Sequence, residues 1–230
     1  AQERAEPILR KYLRSALLTQ TVINKAIEQH KVDIAVFHHG IYVPEGVIGE
    51  VCREAGVGVI NWNPAYRKGS FLFSHDHTYH HTLMSEDTST WANIEWNERL
   101  NLRIKDYLNS RLHGGKDWIS FVSDKPEFDI AKLGQIYPNF DFNKPTVGLL
   151  TNVIWDAQLH YPNNIFGSMM DWIEKTVDYF RERTDAQLLI RIHPAEVLGQ
   201  IPSKQRVLDE LAKRFKLSEL KNVFIKWKIY

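Results

Sequence analysis

The sequence predicts an α/β protein of two lobes, each built on an open parallel sheet, with the second lobe incomplete. Three observations predict it. A strand, helix, strand unit over residues 33–62 reads as the repeat of a parallel sheet. The same alternation restarts over residues 146–227. Between them YPNFDFNKP, residues 137–145, carries two prolines and two asparagines with neither helical nor strand period. The expected lobes therefore span residues 1–140 and 141–230.

Each element has its own warrant. Ile8, Leu9, Tyr12, Leu13, Ala16 and Leu17 recur at helical spacing and predict an opening helix. DIAVF (33–37) is a short apolar run suited to a buried parallel strand. Pro44 suits a first helical turn, where its missing N–H is no loss, and Val47, Ile48, Val51, Cys52 and Ala55 form one apolar stripe before Gly56 ends it. GVGVINW (56–62) then reads as a second strand. Residues 64–86 read as a long polar and aromatic loop, a length that in compact domains goes with function or mobility. A helix is expected over residues 90–112, opened by the cluster from Asp87 to Thr90 and closed by Gly114 and Gly115. In the second lobe the expected order is strand 146–153, helix 166–183, strand 186–192, helix 203–215 and strand 222–227. The chain opens inside a helix and closes on a strand, the pattern expected of a fragment.

Composition narrows the class. With 230 residues, 43% apolar, 25% charged and a net charge of +1, the chain reads as an ordinary globular protein. So small a net charge, without a block of like charges, gives no reason to expect nucleic acid. Cys52 is alone, so no intrachain disulfide forms, and no secretory signal opens the chain. No apolar run approaches the roughly 18–20 residues that span a bilayer. The expectation is a cytoplasmic protein whose membrane contact, at the inner face of the cell membrane, is peripheral.

In open parallel sheets, ligands bind beyond the carboxyl ends of the strands. That rule puts His38, His39, Asn61, Asn63, Asn152, Asp156, Arg191 and His193 on candidate edges. Pro194 biases His193 toward extended backbone and is expected to aim its side chain away from the following helix. Arg191 lies two residues earlier, on the same strand face. Strand alternation separates His38 from His39, so one of them at most faces a given site. Asp156 fits two roles, a cleft carboxylate that binds a hydroxyl or takes its proton, or a turn residue. Trp155 reads as packing. Glu45 fits either a carboxylate favoured by a helix N-terminus or a catalytic base. The stretch SHDHTYHH (74–81) gathers four of the ten histidines with Asp76 and Tyr79. His75, Asp76, His77 and His80 or His81 offer ligands for a metal-dependent hydrolase, but their spacing matches neither HExxH nor HxHxDH, so no metal and no cofactor is assigned. The preferred reading is an interlobe loop that binds an acceptor sugar through His75, Asp76, His77, Tyr79 and His80. Arg67 and Lys68 add positive charge for an acidic sugar or a lipid phosphate.

The run LLTNVIWDAQLHYPNN, the helix with Trp172 and the run LLIRIHPAE resemble the capsule polysaccharide biosynthesis protein family, as do HHGIYVPEG and NPAYRKGSFLFSHDHTYHHTLMSE. The resemblance covers about residues 33–200, and TNVIWD with RIHPAE is its most specific part. It implies two Rossmann-like lobes of the GT-B kind, continued past Tyr230 by a Ser/Thr-rich turn and a Glu-containing helix. It implies a metal-free transferase that moves sugar from a nucleotide-activated donor to a saccharide or lipid-linked acceptor. Asp156, His193 and Glu45 are then the catalytic candidates, and Asn152 and Arg191 join the substrate-binding residues. A non-catalytic saccharide-binding module, or an incomplete half-enzyme, is the alternative.

Overall fold

The computed structural model describes residues 2–82, 87–112, 116–118, 130–156, 164–198 and 202–226. Two compact units form, Ala1–Lys105 with Lys116–Ile119, and Asp106–Gly115 with Ser120–Tyr230.

The first unit opens with helix α1 (Gln2–Gln29), followed by strand β1 (Ile34–His38), helix α2 (Glu45–Glu54), strand β2 (Gly58–Pro64) and strand β3 (Phe71–His75). The strand, helix, strand unit forms as expected, with β1 parallel to β2 and Val36 beside Ile60. The apolar stripe of α2 meets the sheet, and Cys52, Val57 and Val59 are buried there under Ile23 and Ile27 of α1. The sheet departs from the expected parallel type. Residues 64–86 supply the antiparallel strand β3, paired so that Trp62 faces Phe73, and then helix α3 (Tyr79–Thr82). FLFSH was read as loop because its three consecutive apolar residues, all exposed, show no two-residue alternation. One face of this sheet is covered. The other shows Ile34, Val36, Phe71 and Phe73, each more than half exposed.

The expected helix over residues 90–112 is broken into α4 (Ser89–Ala92) and α5 (Glu98–Leu112). Asp87 Oδ1 accepts from the Ser89 amide at 2.9 Å, and Asn97 Oδ1 accepts from the Leu100 amide at 3.0 Å. The second of these is an N-cap, which starts a helix afresh. Gly114 and Gly115, expected to close it, lie outside the described residues.

The second unit carries helix α6 (Ile130–Ile136), strand β4 (Thr146–Leu150), helix α7 (Met169–Arg181), strand β5 (Gln187–Arg191), helices α8 (Ala195–Leu198) and α9 (Val207–Arg214), and strand β6 (Val223–Lys226). Its sheet is parallel throughout, in the order β4, β5, β6. Ile173 and Val177 of α7, Val207 and Leu211 of α9, and Leu188 and Ile190 of β5 are fully buried in one core. On the opposite face, residues 137–142 lie across the sheet. The Tyr137 hydroxyl donates to the Ile225 carbonyl at 2.6 Å, and the Phe140 and Phe224 rings meet at 5.1 Å. Gln187, buried, donates to Asp141 O and Thr146 Oγ1 and accepts from the Asp141 amide. The protein is thus a mixed α/β molecule with one mixed and one parallel sheet. Among the described residues no helix is long and apolar enough to cross a membrane.

Candidate functional site

Strands β4 and β5 run side by side, so their carboxyl ends bring Thr151 and Asn152 next to Ile192 and His193. The Thr151 amide donates to Arg191 O at 3.0 Å, and Thr151 Oγ1 accepts from the His193 amide at 3.0 Å. The sheet register and this hydroxyl fix where His193 leaves the strand.

The His193 side chain then departs from expectation. It turns toward the following helix rather than away, and its Nδ1 accepts the Ala195 amide at 3.1 Å. Pro194 constrains the backbone of His193 but leaves its χ angles free, and the unpaired first amide of α8 supplies a nearby donor. With Nδ1 accepting, the ring proton of the neutral imidazole sits on Nε2. Burial lowers the His193 pKa, the charge of Asp156 raises it and that of Arg191 lowers it further, with a net shift downward. Both charges therefore act on the ring. The neutral Nε2–H form is the one present at neutral pH.

Asp156 closes the loop after β4. Its amide donates to Val153 O at 3.1 Å, and its Oδ2 accepts from Asn152 Nδ2 at 3.4 Å. Trp155 does not simply pack. It is 52% exposed, and its Nε1 donates to Ser203 Oγ at 3.1 Å. Ser203 is itself placed by Glu196, whose carbonyl accepts the Ser203 amide at 2.9 Å. Glu196 is buried, accepts the Val207 amide through Oε2 at 3.0 Å, and has its pKa pushed up by that burial. It caps α9 from a distance, because Arg206 at the helix start provides no side-chain cap.

Beside Asp156 lies a cleft of about 250 Å³, lined by Asn152, Asp156, Asn164, Phe166, Ser168 and Trp172 among others. Phe166, Ser168, Asn164 and Trp172 escaped the sequence reading as site residues. The spacing Ser168 to Asp171 was the available signal, since a serine three residues before an acid opens a helix. Arg191 is exposed at the end of β5.

In the first unit, His39 and Gly40 leave β1 with positive φ, 62° and 74°. The turn sets the His39 ring against buried His80, with Nδ1 and Nε2 3.4 Å apart and the rings stacked at 5.6 Å. Tyr79 lies 4.0 Å from His80. The same turn brings His38 and His39 to 4.3 Å, so strand alternation does not separate these rings as expected. Asn61, 2% exposed, faces Gly40, and a Cβ there would lie 2.1 Å from its Oδ1. Among the described residues Asn61 Oδ1 and Ser74 Oγ are buried without a hydrogen-bond partner.

The residues of the 64–81 stretch are spread out by β3. Arg67 and Lys68 lie in the β2–β3 turn, held by an isolated bridge from Arg67 to Asp117 and by the Lys68 amide donating to Lys116 O at 2.8 Å. His75 and Asp76 are at the other end of β3, roughly 13 Å along a strand of this length. His75, Asp76 and His77 are exposed, whereas Tyr79 and His80 turn inward to His39. Arg53 of α2 holds the Asp76 carbonyl at 2.7 Å. Among the described residues no group of three His, Cys, Asp or Glu side chains is placed to hold a metal ion. Glu45 is the first residue of α2, half-buried.

The chain matches no family model, no curated protein and no solved structure.

Proposed function

We propose that this protein is a glycosyltransferase of capsule or related surface-polysaccharide assembly, with two GT-B-like, Rossmann-like lobes. It takes sugar from a nucleotide-activated donor and gives it to a saccharide or lipid-linked acceptor at the inner face of the membrane. One observation carries the reading. Asp156 and His193, distant in sequence, both follow the carboxyl ends of the neighbouring strands β4 and β5 of one parallel sheet, and the Asp156 charge raises the His193 pKa against the effect of burial. Such an edge is where ligands bind in sheets of this type.

The chemistry assigns the roles. Transfer forms a bond from the acceptor oxygen to the anomeric carbon and breaks the bond from that carbon to the donor phosphate. Asp156 takes the hydroxyl proton that the acceptor loses. The neutral His193 donates from Nε2 to the departing phosphate oxygen, whose negative charge is also favoured by Arg191. Asn152 orients the Asp156 carboxylate.

The test is turnover. Purified protein is incubated with a panel of nucleotide sugars and saccharide acceptors, and released nucleotide is measured. Asp156→Asn and His193→Gln should each lower release by about a hundredfold or more while circular dichroism stays native. Wild-type protein that neither turns over nor is thermally stabilised by any member of the panel would sink the proposal. A non-catalytic saccharide-binding module would instead bind saccharides without releasing nucleotide.

A further inference from the structure

The cleft beside Asp156 has a chemical character of its own. Its volume, about 250 Å³, falls below the roughly 300–1,000 Å³ of pockets for drug-sized ligands. A single ring fits such a space. Two aromatic side chains, Phe166 and Trp172, form apolar walls, and Trp172 is anchored by packing on the main core of the second unit. Asn152, Asn164, Asp156 and Ser168 supply hydrogen-bonding groups of both senses around them.

The start of α7 borders the cleft, and a helix N-terminus ordinarily attracts anions. Here that attraction is answered from within. Ser168 Oγ accepts the Asp171 amide at 3.0 Å, and Asp171 Oδ2 accepts the Gly167 amide at 3.2 Å. Asp171 is held ionised by its hydrogen bond with Lys175. Asp156 adds a second carboxylate, and among the described residues none that lines the cleft is basic.

We propose that this cleft is a subsite for a single uncharged, hydroxyl-rich sugar ring, distinct from the phosphate position at His193. The ring lies against the Phe166 and Trp172 side chains, its hydroxyls bond to the Asn152 amide and the Asp156 carboxylate, and acidic sugars and phosphates are repelled. The assignment rests on the transferase reading for the ring's place in a reaction, but ring binding is measured without turnover.

The full chain, labelled with 15N, is titrated with methyl glucopyranoside, methyl galactopyranoside and methyl mannopyranoside while the indole N–H signal of Trp172, assigned with Trp172→Phe, is followed. Methyl glucuronide, inorganic phosphate and choline serve as charged rivals. At least one neutral glycoside should move the signal with millimolar affinity. Asn152→Ala, at an exposed position that leaves the core intact, should weaken it roughly three- to tenfold, the loss of one hydrogen bond. Phe166→Ala should weaken it too. The assignment is overturned if no neutral glycoside moves the signal, if both variants bind as wild type does, or if phosphate, glucuronide or choline is the better ligand. Nucleotide-sugar turnover in the same samples is scored separately. A dry cleft with intact turnover removes the subsite alone, and ring binding without turnover removes the transferase reading.

Discussion

The His193 ring is tied to the turn that follows it, which its place before Pro194 did not reveal. Its Nδ1 caps α8, and burial keeps the ring neutral by lowering its pKa from the ordinary 6.5. The sign of the pH effect follows. Below pH 6.5 the unfolded chain binds this proton more readily than the folded one, so stability is full above that value and declines as pH falls through the lower folded pKa. His193→Gln should therefore lose less stability than wild type between pH 7.5 and pH 5, measured by urea unfolding; equal losses would assign the acid sensitivity to other groups. Gly40 gives a second residue-scale prediction. With φ at 74° and Asn61 Oδ1 2.1 Å from any Cβ, Gly40→Ala should cost at least about 1–2 kcal/mol from its left-handed backbone alone, with the clash added. Combining it with Asn61→Ala should recover the clash and not the backbone cost. At this scale the sequence indicated His193, Asp156 and Asn152 because the carboxyl-edge rule needs only strand ends. It missed Phe166, Ser168 and Trp172 because a cleft wall is made by residues meeting across a turn, which leaves no periodic trace. Likewise His39 meets His80 only because the backbone takes positive φ.

Elements were legible where apolar spacing was strong. The stripe of α2, the runs of β1, β2, β4, β5 and β6, and the amphipathic α7 and α9 all form close to their expected ranges. Strand β3 was not legible, because an antiparallel hairpin with one face exposed tolerates Phe71 and Phe73 on the outside. Caps decided the break between α4 and α5, and side-chain hydrogen bonds of that kind compete locally with helical spacing. The most informative cap is remote. Glu196 satisfies the first amide of α9 from inside the RIHPAE segment, so that segment starts a helix as well as ending a strand. Removing it leaves the Val207 amide buried and unpaired, a loss of about 1–3 kcal/mol. Glu196→Ala should show that loss in urea unfolding, whereas Glu196→Gln, which keeps an acceptor oxygen, should lose markedly less. Similar losses for the two would mean that the carboxylate's cap is unimportant. For Ser168→Ala, which deletes the cap of α7, about 1 kcal/mol is expected by the same measurement.

At the scale of the molecule the two units are unequally built. The second encloses a continuous core between α7, α9 and its parallel sheet, while the first buries Cys52, Val57 and Val59 under part of α1 and leaves one sheet face open. Apolar burial is the main favourable contribution to folding, and protection from exchange follows local stability. Hydrogen exchange should therefore find the amides of β4, β5 and β6 protected longer than those of β1, β2 and β3. The reverse order, or a single shared rate, would contradict this account. Sequence by itself determined the α/β class, the strand, helix, strand units and the strand ends on which candidate groups stand, because burial periodicity and turn chemistry are written locally. Only the tertiary structure decided that β3 joins the first sheet in the opposite sense, that His193 faces its own helix, and that Asp156 borders a cleft. Those outcomes depend on which distant groups meet, and pairing across a fold is settled by packing and hydrogen bonding that no single stretch of chain contains.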